Sequence, residues 1–280
     1  MLYIVSTPIG NLQDITFRAV DVLKKCDLIL AEDTRVSRTL LTHYGIQTKC
    51  VPFHEFNEAA QEPHIIEQLR AGKEIALISD AGTPLISDPG ERLVNKCLTM
   101  GLAMTSVPGP CAVITALTLS GFAAIPFQFV GFLPRKEQAL HAALEQYLQY
   151  LGTTICYESG QRLHKTIAKI AAIQPSRQLV IARELTKKFE TIYRDTAIEL
   201  EKQCGSTKMK GELVLLIGKE EQTACLTEEE IRHEVAQYRQ AHQCSMKEAC
   251  RAVSKKLKLS ARQVYQMMVT IHHPHEGDGE

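Results

Sequence analysis

The stretch EIALISDAGTPLISDPG, residues 74–90, joins a short apolar run to a loop with two Asp, two Pro and two Gly in its last twelve residues. An apolar run of this length, bounded by turn residues, is typical of a buried strand. In open α/β sheets, ligands bind where the carboxyl ends of the strands meet their connecting loops. The stretch therefore indicates a strand of an α/β fold followed by a loop that is either a simple turn or a ligand loop, and its residues alone leave both interpretations open.

The second half of the same stretch has the pattern of a helix start. Asp88 provides a side-chain acceptor, Pro89 suits the first helical position, and Glu91 lies three residues after the cap. We therefore expect Asp88 to cap a helix, so that any ligand loop is confined to SDAGTPLI. Replacing Asp88 with Ala is then expected to cost about 1 kcal/mol of stability.

Apolar runs alternate with segments of helical period along most of the chain. This alternation predicts a mainly parallel sheet covered by helices on both faces, followed by a second α/β unit that begins near FQFVGFLPRK. We predict an N-terminal α/β domain at 1–122, a second α/β domain at 123–220, a basic helical domain at 225–271 and a disordered tail at 272–280.

Composition excludes several classes of protein. The 32 basic and 32 acidic residues cancel, so the whole chain has no net charge that would draw it to nucleic acid or membrane. Nine cysteines form no CxxC pair and no metal-type group with histidine, which predicts reduced core thiols and no metal site. The chain has neither a secretory signal pattern nor a long apolar window, so we expect a cytoplasmic protein.

Positive charge is concentrated near the C-terminus, where residues 239–262 hold seven Lys or Arg against one acid, Glu248. Helix caps are expected at Thr227 and Ser260, and an apolar stripe runs from Met246 to Leu257. Two short helices with a brief connection resemble a helix-turn-helix. This segment either contacts nucleic acid or is a solvated basic face, and the sequence leaves both interpretations open.

Three loops are expected at the carboxyl ends of strands: STPIGN, SDAGTP and PGPC. None has the GxGxxG or GxxxxGK[ST] pattern, which excludes the Rossmann dinucleotide and P-loop classes. Their glycines permit close approach of a ligand, and their prolines stiffen the rims.

Seven motifs occur in the order found in the tetrapyrrole methylase superfamily. They are STPIGNLQDIT, AEDTR, SDAGTPLISDPG, VPGP, GFLPRK, YES followed by Arg162, and ARELTKKFE. The chain most resembles the ribosomal RNA branch of that superfamily, the small-subunit rRNA ribose 2′-O-methyltransferase I family. The resemblance covers residues 3–218 and extends to the basic helical end.

This resemblance implies two α/β domains with S-adenosylmethionine between them, in a homodimer that needs no metal. The YES strand end and the VIAR strand would close over the cofactor from the second domain. The implied cofactor residues lie in the loops of the first domain. They are Pro8, Asp80, Ala81, Gly82, Thr83, Leu85, Ile86, Cys111 and Ala112.

The implied activity is methylation of a cytidine ribose 2′-oxygen in the decoding region of 16S rRNA, with rRNA or the 30S subunit as partner. A hydroxyl is a weak nucleophile without a base or cation nearby. The catalytic candidates are Glu32, Asp33, Lys136 and Glu158. The expected RNA contacts are Arg35, Arg135, Lys247, Arg251, Lys255 and Lys258, with Lys187 and Lys188 as either phosphate contacts or solvated surface. A structural ion pair of Glu32 with Arg35 is also expected.

The chain departs from the family pattern at two places. Ser6 stands where the family usually has Ala, and Gly160-Gln161 replaces its common Pro-His. Two other functions remain open: a small-molecule methyltransferase acting on a corrin or porphyrin carbon, and a non-catalytic RNA-binding assembly factor. The basic helical end disfavours the first, and the intact loop glycines disfavour the second.

Overall fold

A computed structural model of the protein describes residues 1–205, 209–220, 228–257 and 260–269. The chain divides into two compact units, residues 1–220 and 221–280. Unit 1 contains two five-stranded sheets, and unit 2 is helical. This architecture confirms the predicted fold class, whereas the exact division of unit 1 at residues 122 and 123 stays a prediction.

The first sheet is parallel throughout, with strand order β3-β2-β4-β1-β5. Its strands are β1 (Leu2–Val5), β2 (Leu28–Ala31), β3 (Cys50–Pro52), β4 (Ile75–Ile78) and β5 (Met104–Val107). Every residue of β2 and β4 is buried. Continuous burial explains why these strands are uniformly apolar, because helices cover both faces of a parallel sheet.

Five helices follow the strands of the first sheet. They are α1 (Phe17–Lys25), α2 (Thr34–His43), α3 (Glu58–Arg70), α4 (Glu91–Thr99) and α5 (Ala112–Ser120). The side chain of Thr16 caps α1 and that of Asp33 caps α2, and α2 ends just before Gly45, where φ is 63°. The caps satisfy amide groups that have no partner within the helix.

The predicted start of α4 is wrong. The helix begins at Glu91 after Gly90, whose φ of 118° needs a glycine, and no side chain caps it. A carbon at the Cβ position of Gly90 would lie 2.6 Å from a methyl carbon of Leu77, so the chain approaches β4 closely here. The loop after β4 therefore continues through Asp88, which is not a helix cap.

The second sheet is mostly antiparallel and has the order β6-β7-β10-β8-β9. Its strands are β6 (Phe127–Phe132), β7 (Thr153–Ser159), β8 (Gln178–Arg183), β9 (Thr191–Thr196) and β10 (Glu212–Ile217). The helices of this part are α6 (Glu137–Leu148), α7 (Leu163–Ile173) and α8 (Ala197–Cys204). Only β6 and β7 pair in parallel. The last strand in sequence, β10, thus lies at the centre of the sheet.

Helix α5 joins the two halves of unit 1. Its residues Val113, Ala116 and Leu117 pack in one buried cluster with second-sheet residues such as Val180 and Leu216. The helix therefore follows a strand of the first sheet but buries its apolar face against the second. Since burial of this area favours a fixed arrangement, the loops of the first sheet are held beside the second.

Unit 2 consists of α9 (Glu228–His242), α10 (Met246–Leu257) and α11 (Ala261–Val269) around a small apolar core. The predicted stripe is confirmed, because Cys250 and Val253 are buried while Met246 and Leu257 pack against the core. Ser260 and Gln263 form the predicted reciprocal cap of α11. The expected cap at Thr227 and the expected tail at 272–280 fall outside the described residues.

No helix in the described parts of the chain is long and apolar enough to span a membrane. The eight cysteines in these parts are all free thiols.

A close backbone contact at Gly160 gives a stability prediction. A carbon at its Cβ position would lie 1.7 Å from the carbonyl oxygen of Met209. We expect Gly160→Ala to lower the free energy of unfolding by about 2 kcal/mol or more, since the backbone at Met209 must move. Urea unfolding followed by circular dichroism measures this loss.

Gly45→Ala is the control, because its added methyl group meets no atom within 4 Å and only the left-handed backbone is strained. We expect it to cost about 1 kcal/mol. Equal losses in the two variants would contradict the close contact at Gly160.

Candidate active site

The three predicted loops meet at the carboxyl edge of the first sheet and are joined by hydrogen bonds. Thr7 and Gly82 exchange two backbone bonds, with N···O distances of 2.9 and 3.1 Å. The Thr83 hydroxyl donates to the carbonyl oxygen of Pro110 at 3.1 Å. Its single proton is then used, so the Ser6 hydroxyl, 3.0 Å away, donates to the Thr83 oxygen. One network thus fixes all three loops.

A cavity of about 350 Å³, which we call the cleft cavity, lies between these loops and the second sheet. Ile9, Ala81, Ile86, Asp88 and Ala112 line it on the side of the first sheet, together with residues of the second half. These are Phe132, Tyr157, Glu158, Ser159, Ala182, Leu185, Gly211, Glu212, Leu213 and Val214. Its size and mostly apolar walls are those of a small-molecule site.

Glu158 lies in the wall of the cleft cavity and is 2% exposed. One of its oxygens accepts the Thr166 hydroxyl at 2.8 Å, and the other accepts the Ser159 amide at 2.8 Å and lies 3.4 Å from Arg162. Arg162 also donates to the carbonyl oxygen of Leu133 at 2.9 Å. Glu158 and Arg162 therefore tie the end of β7 to the loop after β6.

Carboxylates gather near the cleft cavity at the ends of β2 and β4. Burial raises the pKa of Asp88 to about 6, and the nearby carboxylate of Glu32 adds to the effect. Burial also raises the pKa of Glu32, with repulsion from Asp80 second. The Asp80 carboxylate accepts the Asp33 amide at 3.0 Å, which joins the two loops. This edge of the sheet therefore favours a cationic ligand over an anion.

A second cavity of about 410 Å³ adjoins the first, and both are lined by Ile9, Ala81 and Glu212. We call it the hydroxyl cavity, because Thr7, Ser37, Thr39 and Ser79 line it. The buried Ser37 hydroxyl has no hydrogen-bond partner among the described residues.

The predicted cofactor residues fall into three sets. Ala81, Ile86 and Ala112 line the cleft cavity. Pro8 and Asp80 line the hydroxyl cavity. The other four hold or surround the loops without lining either cavity. These are Gly82, Thr83, Leu85 and Cys111.

The catalytic candidates are dispersed. Of the four, only Glu158 lines the cleft cavity. Asp33 is paired with Arg35 at 2.6 Å, and its hydrogen bonds to Arg35 lower its pKa to about 2. The expected pair of Glu32 with Arg35 is therefore wrong, because Asp33 caps α2 and meets the arginine two residues later. Lys136 is exposed at the start of α6.

The expected RNA contacts also divide. Arg35 forms an ion pair with Asp33, whereas Arg135 is exposed. Lys187 is not simply solvated surface, because it pairs with Glu184 at 3.2 Å and Glu212 at 2.8 Å, and its phosphate contact stays a prediction. Lys247, Arg251 and Lys255 are exposed on α10, and Lys258 lies outside the described residues.

Sequence reasoning missed the contribution of residues 211–214 to the cleft cavity. Strand β10 lies between β7 and β8, and its Glu212 pairs with Ser159 at the end of β7. Sequence order hides this position, because strand order depends on long-range pairing. The signal available was Gly211 before an apolar strand, and its Cβ position is blocked by Glu184 at 2.5 Å.

No group of three or more His, Cys, Asp or Glu side chains suited to a metal ion occurs in the described parts of the chain.

Sequence comparison identifies relatives over most of the chain. A family model of the tetrapyrrole (corrin/porphyrin) methylases matches residues 1–201. Ribosomal RNA small subunit methyltransferase I of Pasteurella multocida is 47% identical over 220 residues, 78% of each chain. The protein of that name from Halalkalibacterium halodurans is 44% identical over 216 residues, 77% of this chain and 75% of the relative.

Solved structures share the fold at low sequence identity. Uroporphyrin-III C-methyl transferase from Thermus thermophilus, complexed with S-adenyl homocysteine, has a TM-score of 0.56 at 16% identity and covers 78% of this chain and 96% of its own. A diphthine synthase has a TM-score of 0.60 at 12% identity, with coverages of 78% and 89%. The fold, the ordered motifs and the sequence relatives agree: this chain belongs to the tetrapyrrole methylase family, in its ribosomal RNA small subunit methyltransferase I branch.

Proposed function

We propose that this protein is an S-adenosylmethionine-dependent methyltransferase that acts on small-subunit rRNA. The observation that carries the proposal is 47% identity over 220 residues to a protein named for that activity. We further propose that the acceptor is the ribose 2′-oxygen of a cytidine in the decoding region, as the family resemblance implies. Small-subunit rRNA or the 30S subunit is then the partner, which places the activity in the cytoplasm, and the expected homodimer is part of the proposal.

The cleft cavity fits S-adenosylmethionine in size and in chemistry. Ile9, Ala112 and Leu213 provide apolar walls that suit an adenine ring. Asp88 and Glu212 place carboxylates beside these walls, and a carboxylate attracts a cationic sulfonium. Burial raises the pKa of Tyr157 to about 12, so its hydroxyl remains a neutral donor at the cavity wall.

When bound, S-adenosylmethionine supplies an electrophilic methyl group on a positively charged sulfur. The reaction breaks the carbon–sulfur bond as the carbon–oxygen bond forms, and the acceptor hydroxyl loses its proton. The protein must therefore align the acceptor oxygen and exclude water. The buried and fully bonded Glu158 fixes the wall beside the donor and is a positioning residue in this account.

The hydroxyl cavity is the proposed place of the acceptor ribose. It shares the lining residues Ile9, Ala81 and Glu212 with the cleft cavity, so molecules in the two cavities would lie next to each other there. Glu32 lines neither cavity, but it lies close to Asp80 of the hydroxyl cavity, and its raised pKa makes it a stronger base than an ordinary carboxylate. Glu32 is therefore the candidate for proton acceptor. Asp33 and Lys136 are not supported in that role by their positions.

Incubation of the full-length protein with methyl-labelled S-adenosylmethionine tests the proposal. Small ribosomal subunits, naked small-subunit rRNA and a uroporphyrinogen are offered as separate acceptors. We expect label in RNA, at one cytidine, resistant to alkaline cleavage because the 2′-oxygen is blocked. Label in the tetrapyrrole, or on a base of the RNA, would contradict the proposed acceptor. If S-adenosylmethionine binds but its methyl group is transferred to none of the acceptors, the proposed enzymatic activity is contradicted.

Asp88 gives a prediction on pH. Its pKa of about 6 means that the carboxylate is charged at pH 7.5 and largely neutral at pH 5. We expect the dissociation constant for S-adenosylmethionine, measured by calorimetry, to rise about fivefold between these pH values, since an attraction of about 1 kcal/mol is lost. In Asp88→Asn, affinity should be weaker at pH 7.5 and nearly independent of pH.

The control is Glu91→Gln, which removes an exposed carboxylate at the start of α4 outside the cavity and should behave as wild type.

The pH dependence of stability provides an independent test of Asp88. A folded pKa above the unfolded value means that the folded protein binds the proton more tightly, so unfolding free energy falls as pH rises from about 4 to about 6. In Asp88→Asn, the unfolding free energy should fall less over this pH range than in wild type. The same pH dependence in both proteins would contradict the raised pKa of Asp88.

A further inference from the structure

Unit 2 contains a groove between α10 and α11, C-terminal to the residues that the family model matches. The matched relatives cover 78% of the chain, and the family model ends at residue 201. The groove has a volume of about 640 Å³ and is lined by residues from both helices and the turn before α10. Among the lining residues are Lys247, Arg251, Arg262 and Tyr265.

The charge in this groove has one sign. Lys247, Arg251 and Arg262 are exposed, and no acidic residue is among the lining residues. None of the three forms an ion pair with another residue in the described parts of unit 2. The nearby acid Glu248 is engaged in the helix cap, where its carboxylate accepts the Ser245 amide at 2.9 Å and hydroxyl at 2.6 Å. The groove is therefore a site for a polyanion rather than one side of a salt-bridge network.

An aromatic ring lies among these cations. Tyr265 on α11 lines the groove and is 47% exposed, so a large part of its side chain is open to a ligand. Cations that hold a phosphate backbone, together with a ring on which a base stacks, are how proteins bind unpaired RNA. An acidic protein segment would use the cations but would have no need of the ring.

The acidic edge of the first sheet supports this assignment. The carboxylates of Glu32, Asp80 and Asp88 favour a cationic donor, and they repel the phosphates of an RNA acceptor. An enzyme with such a site needs backbone contacts elsewhere on its chain. The groove of unit 2 supplies cations for the RNA phosphates and has no carboxylates in its lining to repel them.

We infer that the groove between α10 and α11 is a binding site for single-stranded RNA, in which Lys247, Arg251 and Arg262 contact phosphates and Tyr265 stacks on a base. This inference rests on the proposed rRNA methyltransferase function. It goes beyond the expected basic face on α10, because it assigns Arg262 and Tyr265 on the following helix and specifies unpaired nucleotides.

Fluorescence anisotropy with the full-length protein tests the inference. The probes are a labelled 12-nucleotide single-stranded RNA from the decoding region and the same sequence in a duplex. We expect Tyr265→Ala to weaken single-strand binding about tenfold with an unchanged salt slope, and Tyr265→Phe to bind as wild type, since a ring is retained. The combined variant K247Q/R251Q/R262Q should weaken binding at least tenfold and flatten the logarithmic salt slope by about 2.

Arg239→Gln is the matched control, since Arg239 is an exposed cation on α9 outside the groove. It should change affinity less than twofold. The inference is overturned if Arg239→Gln weakens binding as much as Arg262→Gln, if Tyr265→Ala binds as wild type, or if the duplex is the preferred probe. Circular dichroism confirms that each variant is folded.

Methylation kinetics separate this inference from the proposed function. Groove variants should raise the KM for RNA with kcat and S-adenosylmethionine affinity unchanged. If the wild-type protein binds the probe through Tyr265 but methylates no RNA, the proposed methyltransferase function is refuted, while the RNA-binding site in the groove still stands. If the combined variant methylates RNA with a normal KM and binds the probe with normal affinity, the RNA-binding site in the groove is refuted, while the proposed function still stands.

Discussion

The paired backbone hydrogen bonds between Thr7 and Gly82 are the constraint on which the site depends. They join the loop after β1 to the loop after β4, two strands that are neighbours in the sheet. Ile9 and Ala81, on either side of this bridge, then line both cavities. Gly82 has a φ of 84°, so a residue with a side chain would strain the bridge. The geometry of the proposed donor site thus begins with one residue pair.

The second constraint is helix α5, which belongs to the first half in sequence and to the second sheet in packing. Its buried residues fix the distance between the loops and the strand ends of β7 and β10. A cavity between two sheets keeps its shape only if the sheets do not move apart. The shared cluster provides that restraint, since apolar burial resists separation.

Much of this arrangement could be predicted from sequence. Strands in the first half are short apolar runs between turn residues, so local pattern identifies them and places their loops at one edge. Ordered motifs identified the family where no single loop was specific. Asp88 shows the limit of local pattern: the sequence S-D-P-G-E matches a helix cap, yet the close approach of Gly90 to Leu77 delays the helix. The contribution of β10 was hidden because its central position results from long-range pairing.

The chain's departures from its family pattern also acquire a physical meaning. Ser6 donates a hydrogen bond into the loop network that an alanine could not provide. Gly160 allows the backbone at Met209 to approach the end of β7, two residues before Gly211 enters the cavity wall.

We propose that the cleft cavity holds the methyl donor between the two sheets. A crystal structure of the full-length protein with S-adenosylhomocysteine tests it most directly. We expect ligand density between Ala81 and Ala112 on one side and Tyr157 and Leu213 on the other, with a polar group of the ligand near Asp88. Density at any other place in the protein, with the cleft cavity filled by solvent, would contradict it.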